Sequence, residues 1–110
     1  MQSATAIDPL SATFQALADP TRRAVLERLA RGPVAMSDLA QPFRMALPSF
    51  AQHLDVLEGS GLVRSSKAGR VRTYELAPQG LKAAEGWLSR QRALWTRRLD
   101  QFDAYVKELK

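Results

Sequence analysis

The last third of the chain restricts the fold more than any other segment. Leu81, Ala84, Leu88, Trp95, Leu99, Phe102, Val106 and Leu109 recur at steps of three, four and seven. That is close to the 3.5-residue period of helices that pack on a partner along their length. Gln91 interrupts the stripe where the period expects an apolar residue. A helix starting at Ala77-Pro78 and reaching Leu109 would extend about 45 Å at ~1.5 Å per residue. A single domain of 110 residues cannot cover so long a helix with its own core. The stripe therefore predicts a homodimer, with Leu10 and Phe14 of the first helix covering part of it.

Upstream, two helices begin on the same signal. Asp8-Pro9 and Asp19-Pro20 each set a capping carboxylate before a proline at the first helical position. Leu10, Phe14 and Leu17 then predict one buried face on a helix over about 9–18. The second helix runs to about Arg31, burying Val25, Leu26 and Leu29, and Gly32-Pro33 stops it. Ser37 caps a short third helix from Asp38 to about Gln41, with Leu39 inward. Residues 43–46 connect it to a fourth helix that has Pro48 near its start and lasts until Glu58, before Gly59 and Gly61. Two helices on so short a turn, over about 37–59, read as a helix-turn-helix.

The period then changes. Residues 62–66 and 71–76, rich in valine, threonine and tyrosine, read as two strands joined by 67–70, a hairpin over about 62–76. The expected fold is mainly α with one β-hairpin: about five helices, the last a long one over about 78–109, in one domain spanning 1–110.

On a helical wheel, Leu47, Phe50, Leu54 and Leu57 of the fourth helix fall within about 80° of one another, which defines its core face. Gln52 lies opposite, with Pro48, Ser49 and Val56 beside it and His53 on the flank. A packed back and a short polar front suit entry into a DNA major groove, where Gln52 offers a bidentate amide to adenine and Ser49 serves base or phosphate. An ordinary solvated face has the same pattern, and the wheel alone does not separate the two.

The hairpin does. Arg64, Lys67, Arg70 and Arg72 occupy it with no acidic residue between 64 and 72. Such charges repel one another in an isolated domain, and a phosphate backbone relieves the repulsion. Overall, sixteen Lys+Arg against eleven Asp+Glu give a net charge of +5, which favours an anionic partner, nucleic acid or membrane surface.

Other classes fall away. The chain has no cysteine and one histidine, His53. That excludes disulfides, a thiol nucleophile and any thiolate or multi-histidine metal site within one chain. No nucleophile elbow, phosphate-binding glycine loop or paired acid is present, so an enzyme is not expected. No apolar run approaches the ~20 residues of a membrane span. Residues 1–7 lack the features of a signal peptide, and the expected compartment is the cytoplasm.

With these pieces in order, the segments FQALADPTRRAVLERLARGP (14–33) and MSDLAQPFRMALPSFAQHLDVLEGSGLVRSSKAGRVRTYEL (36–76) resemble the ArsR/SmtB-type winged helix-turn-helix regulators. The resemblance implies a dimeric DNA-binding regulator, usually a repressor, whose first and last helices make the dimer contact. It implies that Ser49, Gln52 and His53 face double-stranded DNA and that Arg64, Lys67, Arg70 and Arg72 form the wing. Arg44, in the turn before the recognition helix, is a phosphate candidate on the same ground. Pro48 stands where the family often has a polar residue, so one base contact is missing. The family's metal sensors use a cysteine pair on the third helix or histidine and carboxylate ligands on the last. Here the third helix reads SDLAQPF and the last helix has no histidine, so no metal and no cofactor is expected.

Several residues keep two readings. His53 either donates to phosphate or packs at the core's edge. Trp87 and Trp95 are taken as packing, against the alternative of a pocket for an unknown small-molecule effector. Arg22 and Arg23, in the first turn of the second helix, are taken as structural rather than DNA-facing. The rival functions are a protein–protein adaptor, which has little need of four wing cations, and a membrane-surface role for the last helix, which dimer burial replaces.

Overall fold

In the computed structural model, residues 8–109 are described; residues 1–7, read above for targeting features, lie outside them. The order is α1 (Pro9–Leu17), α2 (Pro20–Leu29), β1 (Val34–Ala35), α3 (Met36–Ala40), α4 (Leu47–Gly59), β2 (Val63–Ala68), β3 (Val71–Leu76) and α5 (Pro78–Glu108). This is a winged helix-turn-helix with a long last helix.

The two helix starts are built as their sequence signals require. Asp8 accepts from the Ser11 N–H at 2.8 Å and from Ser11 Oγ at 2.9 Å, and Asp19 accepts from the Arg22 N–H at 3.1 Å. Those bonds satisfy amides that a helix start leaves without partners. The core gathers Val25 and Leu29 of α2, Leu39 of α3, Phe50, Leu54 and Leu57 of α4, Leu62, Val63 and Tyr74. Phe43 stacks on Phe50, ring centroids 5.2 Å apart, and closes the turn between α3 and α4.

Four local expectations need correction. The buried residues of α1 are Thr13 and Ala16, not the apolar trio. Small side chains let α1 approach the core, while Phe14 turns to α5 and meets Trp87 edge-on at 5.7 Å. Ser37 is not the cap of α3: Ala35 holds that position without a side-chain bond, and the helix starts at Met36. Leu47 is 58% exposed, because it sits at the first residue of α4, ahead of the turns that reach the core. The strand pair reaches Ala68, leaving a two-residue turn with Gly69 at φ +63°, the backbone of a tight primed turn with glycine first.

The sheet has a third strand that period-2 reading did not find. Val34 pairs with Tyr74 and Ala35 with Thr73, giving the order β1-β3-β2. Two residues carry too little pattern to announce a strand; their pairing partner makes it one.

α5 leaves the body of the protein. Of its 31 residues, Gly80 and Ala84 are the buried ones. The described chain measures 70 × 40 × 24 Å with a radius of gyration of 19.3 Å, against ~13 Å for a compact chain near this length. Trp95 and Leu99 are each 64% exposed, and Leu88, Phe102, Tyr105 and Leu109 are exposed as well.

Candidate nucleic-acid interface

The fourth helix has the two-faced character its wheel predicts. Phe50, Leu54 and Leu57 are fully buried, which fixes the opposite side outward. There Pro48, Ser49, Gln52 and Val56 are exposed. Asp55 is exposed on the same side, three residues after Gln52 on the wheel. It is not among the outward residues named from the sequence, although a carboxylate in a groove accepts from the cytosine amine.

His53 sits on the flank, its side chain 22% exposed. Its Nδ1 lies 3.1 Å from Arg22 Nη1 and 3.8 Å from Asp19 Oδ2. Arg22 also donates from Nε to the Ala16 carbonyl at 2.8 Å and from Nη2 to the Gln15 carbonyl at 2.9 Å. Arg23 Nη1 donates to the Leu17 carbonyl at 2.7 Å. Both arginines thus occupy the carbonyl end of α1, where a helix leaves acceptors unpaired and favours positive charge. That accounts for two cations at the otherwise unfavourable start of α2. Partial burial pushes the Asp19 carboxyl up, but the bond from the Arg22 N–H and the nearby His53 and Arg22 side chains outweigh it. The net result lies below the ordinary value.

The wing is a regular hairpin. Lys67 is directly opposite Arg72, and Arg64 opposite Glu75. Arg64 Nε donates to Glu75 Oε2 at 2.9 Å, so one of the four wing cations has an acidic partner that lies outside the window read in sequence. Arg72 Nη1 donates to Ser65 Oγ at 2.9 Å, and Ser65 Oγ donates to Glu58 Oε2 at 2.9 Å, which ties the wing's base to the end of α4. Among the described residues, Lys67, Arg70 and Arg72 have no carboxylate within 4.0 Å. Two like charges directly opposite destabilise a strand pair, and here they stand beside a third, Arg70, in the turn.

Between the wing and α4 lies a groove of about 250 Å³ lined by Ala35, Met36, Ser37, Leu47, Arg70, Val71 and Arg72. It brings the start of α4 and the wing tip to one surface and gives the exposed Leu47 a place. Arg44 is exposed in the turn before α4. Ser49, Gln52, Lys67, Arg70 and Arg72 are thus all exposed, while His53 is tied back to α2 and Arg64 to Glu75. No helix among the described residues is long and apolar enough to cross a membrane.

The chain is similar in sequence and fold to known proteins. Residues 17–66 match a family model described as a helix-turn-helix domain. The chain is 48% identical over 86 residues to the HTH-type transcriptional regulator Rv2034 of Mycobacterium tuberculosis, spanning 78% of each chain. It is 31% identical to the transcriptional repressor SdpR of Bacillus subtilis, over 68% of this chain and 83% of that one. A crystal structure of an ArsR family transcriptional regulator superposes with a TM-score of 0.78 at 55% identity, covering 81% of this chain and 98% of the other. An ArsR-like transcriptional regulator from Rhodococcus sp. RHA1 superposes at 0.80 with 32% identity, over 93% and 94% of the two chains.

Proposed function

Because the chain belongs to the ArsR family of helix-turn-helix transcriptional regulators, we propose that it is a repressor that binds a pseudo-palindromic operator as a homodimer. One recognition helix serves each half-site, with the half-sites about one turn of DNA apart. The observation that carries this reading is the wing: Lys67 faces Arg72 across the strands beside Arg70, and phosphate relieves what folding alone leaves repulsive. Gln52 and Ser49 supply base choice; Lys67, Arg70, Arg72 and Arg44 supply phosphate contacts.

The functional units follow the elements. The helix-turn-helix is about 37–59, the wing about 62–76, and the dimerisation helices about 9–18 and 78–109. Leu81, Leu88, Trp95, Leu99, Phe102 and Val106 of α5, with Leu10 and Phe14 of α1, make the dimer contact. Support comes from the exposed apolar side chains of α5 beyond the reach of the body. The chain senses no metal through thiols or paired histidines, since it has no cysteine and one histidine. A regulator of this kind works in the cytoplasm, where its DNA is.

Fluorescence anisotropy with the DNA upstream of the protein's own gene, against a scrambled duplex at several salt concentrations, tests the reading. Selective binding with a steep salt slope is expected. Weak binding equal for both duplexes would put the protein–protein adaptor first.

A further inference from the structure

We propose that Arg22, in α2 and outside the helix-turn-helix, is a positioning residue that holds His53 of α4 in the tautomer carrying its proton on Nε2, so that the recognition helix offers a fixed donor to phosphate from its flank. The inference rests on the operator reading for its DNA half and on geometry alone for its tautomer half.

A guanidinium has donors and no acceptor. With Nη1 3.1 Å from Nδ1, the imidazole nitrogen must be the one with a lone pair, because two N–H groups facing each other at that distance repel. The competing arrangement places the proton on Nδ1 and points it at Asp19. Its oxygen is 3.8 Å away, beyond hydrogen-bond reach, and it already accepts from the Arg22 N–H at 3.1 Å. Arg22 therefore prevails. In neutral imidazole the proton is then on Nε2, which has no hydrogen-bond partner among the described residues. A ring with one nitrogen fixed and the other free presents a donor of defined direction.

The guanidinium does more than select a tautomer. Its other two nitrogens are bound to the Ala16 and Gln15 carbonyls, so the group that grips His53 is itself fixed to the end of α1. That helix packs on α5 through Phe14 and Trp87. The flank of the recognition helix is thereby set relative to the α1–α5 unit rather than to its neighbours in the helix-turn-helix alone. The two readings of His53 become one: it is held at the core's edge in order to donate outward.

His53 is the chain's one histidine, so ring signals of nitrogen-15-labelled full-length protein come from a single residue. At about pH 8.5, above the ordinary imidazole range, long-range proton–nitrogen correlation should show a protonated Nε2 and a lone-pair Nδ1. Arg22→Gln should turn this into a mixture of tautomers; where that variant loses wild-type far-UV dichroism, Arg22→Met, which keeps the aliphatic stem and has no N–H to donate, replaces it. With the upstream duplex, His53→Ala and Arg22→Gln should each weaken binding roughly three- to tenfold. The double variant should lose no more than the larger single loss, as expected for residues acting through one contact. A proton on Nδ1 in the wild type, tautomers unmoved by Arg22 substitution, or additive losses would overturn the proposal. Equal wild-type binding to upstream and scrambled duplexes would sink the operator reading alone, while the nitrogen signals still decide for or against Arg22.

Discussion

Gly80 donates its backbone N–H to the Gly61 carbonyl at 3.2 Å, and a Cβ placed on Gly80 would meet the carbonyl carbon and oxygen of Gly61 at 2.9 Å. Gly61 itself has φ +84°, a conformation that glycine adopts at little cost. The first turn of α5 thus rests directly on the turn between α4 and β2. Neither backbone can recede cheaply, since the carbonyl of Leu62, the residue next to Gly61, also receives the Ala77 N–H at 2.9 Å.

Gly80→Ala should therefore lower stability by about 1–3 kcal/mol, the usual cost of overpacking. Gly86→Ala is the internal control. Its Cβ would meet the far end of the Arg90 side chain at 3.4 Å, and alanine in a helix interior gains roughly 0.5–1 kcal/mol over glycine. Urea denaturation of the two variants should move in opposite directions; a stable Gly80→Ala protein would mean the seam between α4 and α5 is looser than its distances say.

Base choice and phosphate affinity should separate by mutation. Gln52→Ala is expected to relax specificity at one base pair per half-site, costing ~1–3 kcal/mol on the preferred duplex only. Arg70→Ala should weaken all duplexes about alike and reduce the salt slope by roughly one. An Arg70→Ala protein with unchanged nonspecific affinity and slope would remove the wing from the interface.

The exposed stripe of α5 predicts an oligomeric effect that leaves the winged-helix body folded. Leu99→Glu together with Phe102→Glu puts charge at positions that are 64% and 61% exposed in the described chain. Sedimentation velocity should show a dimer for the wild type and a monomer for the variant, with the winged-helix body still folded by near-UV dichroism. A variant that stays dimeric would move the subunit contact off this stripe.

Acid should loosen the N-terminal helices first. The bonds from Ser11 N–H and Oγ hold the Asp8 carboxyl below its ordinary value, and Asp19 is lowered as well. A carboxyl depressed by folding stabilises the native state above its unfolded pKa, near ~3.9, and that contribution disappears as pH falls through the folded value. Thermal melts should be level with respect to these two groups from neutral pH down to about pH 5, and fall below about pH 4. Asp19→Asn should shrink that acid-induced fall, and an undiminished fall would assign it to other carboxylates.

Local signals made most of the fold legible. Each Asp-Pro pair carries both halves of a helix start within two residues, and α1 and α2 begin where those pairs stand. What needed the structure was whatever depends on a distant partner. β1 exists because Val34 and Ala35 meet Tyr74 and Thr73. Thr13 and Ala16 are buried because they are small at a close approach, a property that counting apolar residues ranks backwards. The site divides in the same way. The wheel of α4 identified Ser49 and Gln52, since helical geometry alone turns them outward once Phe50, Leu54 and Leu57 are inside. The bond of His53 to Arg22 spans 31 positions, and that of Arg64 to Glu75 crosses the hairpin; no window around either residue contains the other.

The length of α5 has a consequence for how the protein responds to its own abundance. Beyond Gln91 every described residue of the helix is exposed, apolar side chains included, and the arm stands out from the rest of the described chain as a cantilever. In proteins most helical stability comes from packing an apolar face rather than from propensity, so this outer arm gains its order when it lies against something else. If that support is a second copy, ordering and association become a single equilibrium, and dilution melts the arm as it separates the pair. The protein would then measure its own concentration in turns of helix, with its grip on DNA following the square of the amount present.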